Sequence, residues 1–240
     1  MKRALPCAAF VLLAVATGAA VKDAQPQPFI DHVEQTIEGW TVHVDTRLLA
    51  EEKDLGQQAL KLLAAKLFEI TFLVPQEQLD HLRAVPIWID LDHRLGAMQY
   101  HPSVGWLKGH GYDPRMEKVV HIPNARRLVG LQRSNSQPAV VIHELAHAFH
   151  DRVLGFDHPR IRKAYEQAVK DGKYERVLHI SGRTQRHYAL TDHKEYFAEA
   201  TEAFLGTNDF YPFVRAELKE HDGGLYAILE DVWGKAPKRR

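Results

Sequence analysis

The chain has almost no cysteine: Cys7 is the only one among 240 residues. That excludes a disulfide-stapled scaffold, and with Cys7 inside an expected leader the mature chain carries no thiol at all. It also lacks charge of one sign, since Lys+Arg and Asp+Glu both number 31. Nothing in that balance marks a nucleic-acid partner or a membrane surface held by charge. There is no internal repeat and no low-complexity linker. The longest apolar run, Ala4 to Ala16, is too short for a membrane span. What remains is an ordinary globular composition, 45% hydrophobic and 26% charged.

The apolar run has its own meaning. Met1-Lys2-Arg3 precedes it, and Thr17, Gly18, Ala19 and Ala20 follow. A basic start, an apolar middle and a small-residue end form a secretory signal peptide, expected over residues 1–20. Export to the periplasm or beyond is the expectation. Removing Lys2 and Arg3 leaves 29 basic and 31 acidic residues, a formal charge of −2.

Val21 to Pro28 reads as a loose lead-in, and residues 21–240 as a single domain. Strand patterns come first. Trp40, Val42 and Val44 alternate in Gly39 to Asp45, Ile87, Ile89 and Leu91 alternate in Val85 to Asp92, and Lys118 to Ile122 is a short third strand. Helical spacing covers Asp54 to Glu69 and Pro75 to Ala84. Past residue 135 the pattern is helical: Ser136 to Leu154, with Ser136 as cap and Pro138 in its first turn, then Pro159 to Lys170, Asp192 to Leu205, Pro212 to Glu220 and Gly224 to Trp233. The expected class is α+β, with a lobe at 29–135 carrying a small sheet and a helical lobe at 136–234.

Chemistry concentrates in Val140-Val141-Ile142-His143-Glu144-Leu145-Ala146-His147. Histidines four apart on a helix lie on one face, about 5–6 Å apart at Cβ, so two imidazoles can converge on one zinc ion. Glu144, next to the first histidine, is placed beside the metal rather than on it. There it can take a proton from the attacking water and return it to the leaving amine. HExxH alone occurs by chance, so its helical setting and the export signal carry weight beside it.

A catalytic zinc needs a third protein ligand and an open position. A histidine six residues past His147 is excluded, because Val153 stands there and His150 stands where a glycine would be needed. Asp209, in Gly206-Thr207-Asn208-Asp209, is one candidate. Glu195, in Lys194-Glu195-Tyr196-Phe197-Ala198-Glu199, is the other. Glu195 and Glu199 share a helix face, so one carboxylate can bind metal while the other accepts a hydrogen bond from a ligating histidine. His150, His187 and His193 read as packing or surface groups near this region. Tyr100 to Ser103 and Trp106 are candidates for a substrate wall, and the strand ending at Ile122 for main-chain substrate contacts.

HExxH at 143–147, then Tyr188, then Glu195-Tyr196-Phe197-Ala198-Glu199 together resemble the catalytic domain of anthrax lethal factor and its secreted bacterial relatives. These are gluzincins, zinc peptidases whose third ligand is a glutamate. The likeness is clearest over Pro138 to Trp233. It implies a zincin-like fold and one Zn2+ per chain held by His143, His147 and Glu195. It also implies Glu144 as general base, Tyr188 as the phenol that hydrogen-bonds the oxyanion, and Glu199 as the carboxylate behind a ligating histidine. The chain is far shorter than lethal factor, so toxin biology and docking specificity do not carry over. The expected activity is hydrolysis of peptide bonds in a peptide or protein substrate, with no nucleic-acid partner and no membrane span. The competing expectation is an exported zinc-containing binding protein without turnover.

Overall fold

The structure is a computed structural model that describes residues 29–235. The expected signal peptide, the lead-in to Pro28 and the last five residues lie outside the described residues. Among those described, no helix is long and apolar enough to cross a membrane.

The chain is mixed α+β, a small N-terminal sheet followed by helices. Strands β1 (His32–Ile37) and β2 (Trp40–Asp45) form an antiparallel hairpin. The alternation in β2 points Trp40, Val42 and Val44 into the core, each fully buried. Three helices then cross over: α1 (Thr46–Ala50), α2 (Lys53–Leu73) and α3 (Gln76–Arg83). They return the chain to β3 (Ile87–Ile89), which lies parallel to β2. Next come β4 (Gln99–Tyr100), α4 (Val104–Gly109) and β5 (Val120–Ile122). The sheet order is β1-β2-β3-β5-β4, with β5 parallel to β3 and β4 antiparallel to β5. The strand ending at Ile122 is therefore interior, with both neighbours in place. The open edge beside it belongs to β4, which corrects the expectation that the Ile122 strand would offer its main chain to a substrate.

Helix α2 buries Ala59, Leu63, Leu67 and Ile70, a stripe that carries it four residues past the expected end at Glu69. It crosses α1 so closely that a Cβ on Gly56 would lie 2.1 Å from the Leu48 carbonyl oxygen.

Helix α5 (Ala125–Ser134) was not expected, and it displaces the start of the next helix. Asn124 caps it, and Asn135, at φ 50°, ends it in the left-handed region. The Ser136 amide folds back to the Leu131 carbonyl at 3.2 Å, so residues 136–139 are spent on the connection. Helix α6 (Val140–Phe149) thus begins four residues later than Ser136 and has no side-chain cap. It is apolar almost all round and continues as a wider π turn over His150–Leu154. Then come α7 (Pro159–Asp171), a short hairpin of β6 (Val177–Leu178) and β7 (Thr184–Gln185), α8 (His193–Leu205), α9 (Arg215–His221) and α10 (Gly223–Trp233). Trp233, fully buried, packs on Phe149 of α6 and Phe197 of α8. That contact sets the two central helices side by side.

Candidate metal centre

Helix α6 delivers His143, Glu144 and His147. The apolar residues around them, Val141, Leu145 and Ala148, are buried and hold the helix in register. Helix α8 delivers Glu195 from its first turn. Asp192 caps that turn, accepting from the amides of Lys194 at 2.8 Å and Glu195 at 3.0 Å.

The three donor atoms converge. His143 Nε2 lies 3.1 Å from His147 Nε2, and Glu195 Oε2 lies 3.2 Å from each. A tetrahedral zinc with bonds of about 2.0–2.1 Å spaces its ligands at about 3.3–3.4 Å, so this triangle is within a few tenths of an ångström of one face. Asp209, the other candidate for the third ligand, is not among the atoms that converge there.

Protonation makes the same point. His143 Nδ1 is 2.7 Å from Glu202 Oε1, so it donates to that carboxylate and leaves the Nε2 lone pair aimed at Glu195. Two acceptors facing each other need a cation or an extra proton between them. Burial alone would lower the His143 pKa, but the Glu195 and Glu202 carboxylates beside it push it well above the ordinary value. Burial likewise acts to raise Glu195, but bonds from His143 and His147 hold it well below the usual carboxylate range. The donor set and its spacing fit a divalent ion.

The carboxylate bonded to His143 is Glu202 and not Glu199, whose nearest oxygen is 3.8 Å from Nδ1. Glu195, Glu199 and Glu202 follow one another at i, i+4 and i+7 on the same face, so sequence reasoning stopped one turn early. Glu199 is buried, and its Oε2 has no hydrogen-bond partner. Burial and the neighbouring Glu202 push its pKa well up. Asp209 lies behind this pair, and burial and Glu202 push it up to about 7.

Glu144 is buried, and its Oε2 accepts from the Tyr100 amide of β4 at 2.8 Å. Desolvation raises its pKa, against the pull of His143 and His147. Glu144 also lines a cleft. That cleft is about 450 Å3 and is walled by β4, α5, α6 and α8. Tyr188 lines it and is half-exposed. Burial, then Glu195, raises its pKa. Tyr100 and Pro102 also line the cleft, whereas His101 and Trp106 do not. His150, His187 and His193 stay off it too. His150 is fully buried against Phe156 and Phe197, His187 stacks on Phe210, and His193 Nε2 donates to the Phe156 carbonyl at 2.7 Å.

No protein-family model, curated protein or solved structure matches the chain.

Proposed function

We propose that the protein is an exported zinc metallopeptidase of the gluzincin type with a zincin-like fold, its signal peptide spanning residues 1–20. The observation that carries this reading is the triangle of His143 Nε2, His147 Nε2 and Glu195 Oε2, 3.1–3.2 Å on each side, at the floor of an open cleft. His143, His147 and Glu195 hold the ion, and Glu202 fixes the tautomer of His143. Bound there, zinc supplies a Lewis acid that polarises a carbonyl and acidifies water.

The chain's own groups do the rest. Glu144, anchored through one oxygen by the Tyr100 amide, takes the proton of the attacking water on the other and passes it to the leaving amine. The Tyr188 hydroxyl, on the cleft wall, donates to the oxygen on which charge develops. One such donor is worth about 10²–10³ in rate. The outer edge of β4 lies along the same cleft, but its Tyr100 amide is already given to Glu144, so an extended peptide there depends on the remaining main-chain groups of 97–100.

The test pairs zinc content with turnover, on the parent chain, Glu195→Ala and Glu144→Gln. The parent and Glu144→Gln hold one more zinc equivalent than Glu195→Ala. Only the parent cleaves members of a broad peptide library. Zinc kept in full by Glu195→Ala overturns the ligand set, and cleavage by Glu144→Gln overturns the mechanism. Zinc bound without cleavage of any peptide favours the binding-protein reading.

A further inference from the structure

A second set of donors lies on the sheet, away from the cleft. Asp90 follows β3, His121 is the central residue of β5, and His93 stands in the loop that leads to β4. Each offers one donor atom within 4.8 Å of the other two, and none of the three lines the cleft. Asp90 and His121 are fully buried. Asp90 Oδ2 is 2.8 Å from His121 Nε2.

The groups around them hold these donors in place. Asp90 Oδ1 takes a bond from His32 Nε2 at 2.6 Å, and His32 Nδ1 is tied to the Ile30 carbonyl at 2.9 Å. His121 Nδ1 lies 3.3 Å from His101 Nε2, leaving Nε2 to face Asp90. An imidazole and a carboxylate, each fixed from behind by another side chain, form the pattern that surrounds protein metal ligands.

A network of hydrogen bonds alone accounts for His32, Asp90, His121 and His101. It does not account for His93. That ring stands over His121 with centroids 4.8 Å apart and bonds to neither Asp90 nor His121. Its Nδ1 accepts a 3.2 Å bond from the Leu95 amide, and its ring also lies 5.5 Å from that of Tyr112. His32, Asp90 and His93 also line a small cavity of about 30 Å3, on the side of Asp90 and His93 that His121 does not border. A water-sized particle needs about 10–15 Å3, so there is room for an ion and one water.

We infer that Asp90, His93 and His121 form a second divalent-metal site, separate from the cleft, for a borderline ion of the zinc class. Two imidazoles and one carboxylate select such an ion over calcium or magnesium. Three protein donors leave one position for water from the cavity. A tetrahedral ion sets its donors about 3.3–3.4 Å apart, so His93 has at most about 1.5 Å to close. Its backbone stays put, held by the Pro123 carbonyl at 2.7 Å, and the ring swings. The loop from His93 runs directly into β4, so the ion ties one wall of the cleft to the sheet.

The site does not depend on the peptidase reading, and one experiment separates the two. The probe is Zn2+ alone, counted per chain by elemental mass spectrometry after exchange into buffer passed over a chelating resin. The samples are the parent chain, His147→Ala, His93→Ala and the double variant. The expected contents are two, one, one and none. Equal zinc in His93→Ala and the parent overturns the second site and assigns any excess to surface histidines. Equal zinc in His147→Ala and the parent overturns the cleft site instead. His93 lies outside every helix and strand, so its replacement spares the fold. As a check on that, Zn2+ raises the melting temperature of His147→Ala but not of the double variant. No shift in His147→Ala also overturns the site.

Discussion

Glu202 sits behind His143 and decides which ring nitrogen carries the lone pair. With Nδ1–H committed to that carboxylate at 2.7 Å, Nε2 is left free for an ion. Outer partners of this kind are worth about 10–100-fold in metal affinity. Glu202→Ala should therefore weaken zinc binding by about that factor, read by competition with a chromophoric chelator, while Glu199→Gln stays close to the parent. The larger loss in Glu199→Gln would return the role to Glu199. Asp209 makes a second prediction at this scale, for the metal-free protein. Its pKa is pushed up to about 7 by burial and by Glu202, above the unfolded value of about 3.8. An acid with a raised folded pKa favours the fold while protonated. Its contribution is complete below the unfolded value and is lost as pH climbs to the folded one. Denaturant titrations of the chelated protein at pH 5 and pH 8 should show Asp209→Asn losing less stability than the parent, by about 1–3 kcal/mol. Equal losses would mean that Asp209 ionises as it does in the unfolded chain.

Two elements must stay in register for Glu144 to act as the proposed base, and a polar clasp holds them. The Tyr100 hydroxyl of β4 donates to Asp151 at 2.7 Å, on the π turn that continues α6, and Lys118 pairs with the same carboxylate. Tyr100→Phe removes one of these bonds and should cost about 0.5–1.5 kcal/mol in stability. It should also lower kcat while zinc content stays at the parental value; an unchanged kcat would show that the Tyr100 amide holds Glu144 without the clasp. At α1 and α2, the 2.1 Å approach of a Cβ on Gly56 to the Leu48 carbonyl predicts that Gly56→Ala forces the helices apart, at about 1–3 kcal/mol in a thermal melt. These contacts also mark the limit of what could be read from residues alone. Helices α3, α7, α8 and α10 were legible because each has apolar residues at helical spacing and a proline, aspartate or glycine at an end, and the convergence of His143, His147 and Glu195 because donors at helical spacing leave a pattern. The strand β4 is two residues long, too short for any period, and its bond to Glu144 comes from a backbone amide that any residue supplies. Helix α5 carries only a short stripe, Ala125, Leu128 and Val129, before Gly130 and the polar end Gln132-Arg133-Ser134 cut it off. The strand β1, at the sheet edge, leaves Val33 exposed and so breaks the alternation it should display. Glu202 could not be chosen over Glu199 without distances, because both lie on the same helix face.

At the scale of the molecule, a cation in the triangle is a cross-link. It joins α6, which packs on the sheet, to α8, which heads the C-terminal helices, and it sits among buried carboxylates that repel one another without it. Apolar packing through Phe149, Phe197 and Trp233 already joins the same two helices, so the metal-free chain keeps its fold and loses stability. A ligand that binds only the native state adds about 4 kcal/mol when its free concentration is about 1,000 times Kd. For a chain of this size each kcal/mol moves the melting temperature by about 2–4 °C, so chelation should lower it by about 8–16 °C. The measurement belongs in the His93→Ala background, where the cleft triangle is the remaining proposed site. In Glu195→Ala/His93→Ala the chelator should then have almost no effect. If it lowers the melting temperature there as far as in His93→Ala, α6 and α8 are not joined through Glu195. If it lowers neither, the carboxylates around His143 are satisfied by protons, and the triangle is not built around an ion.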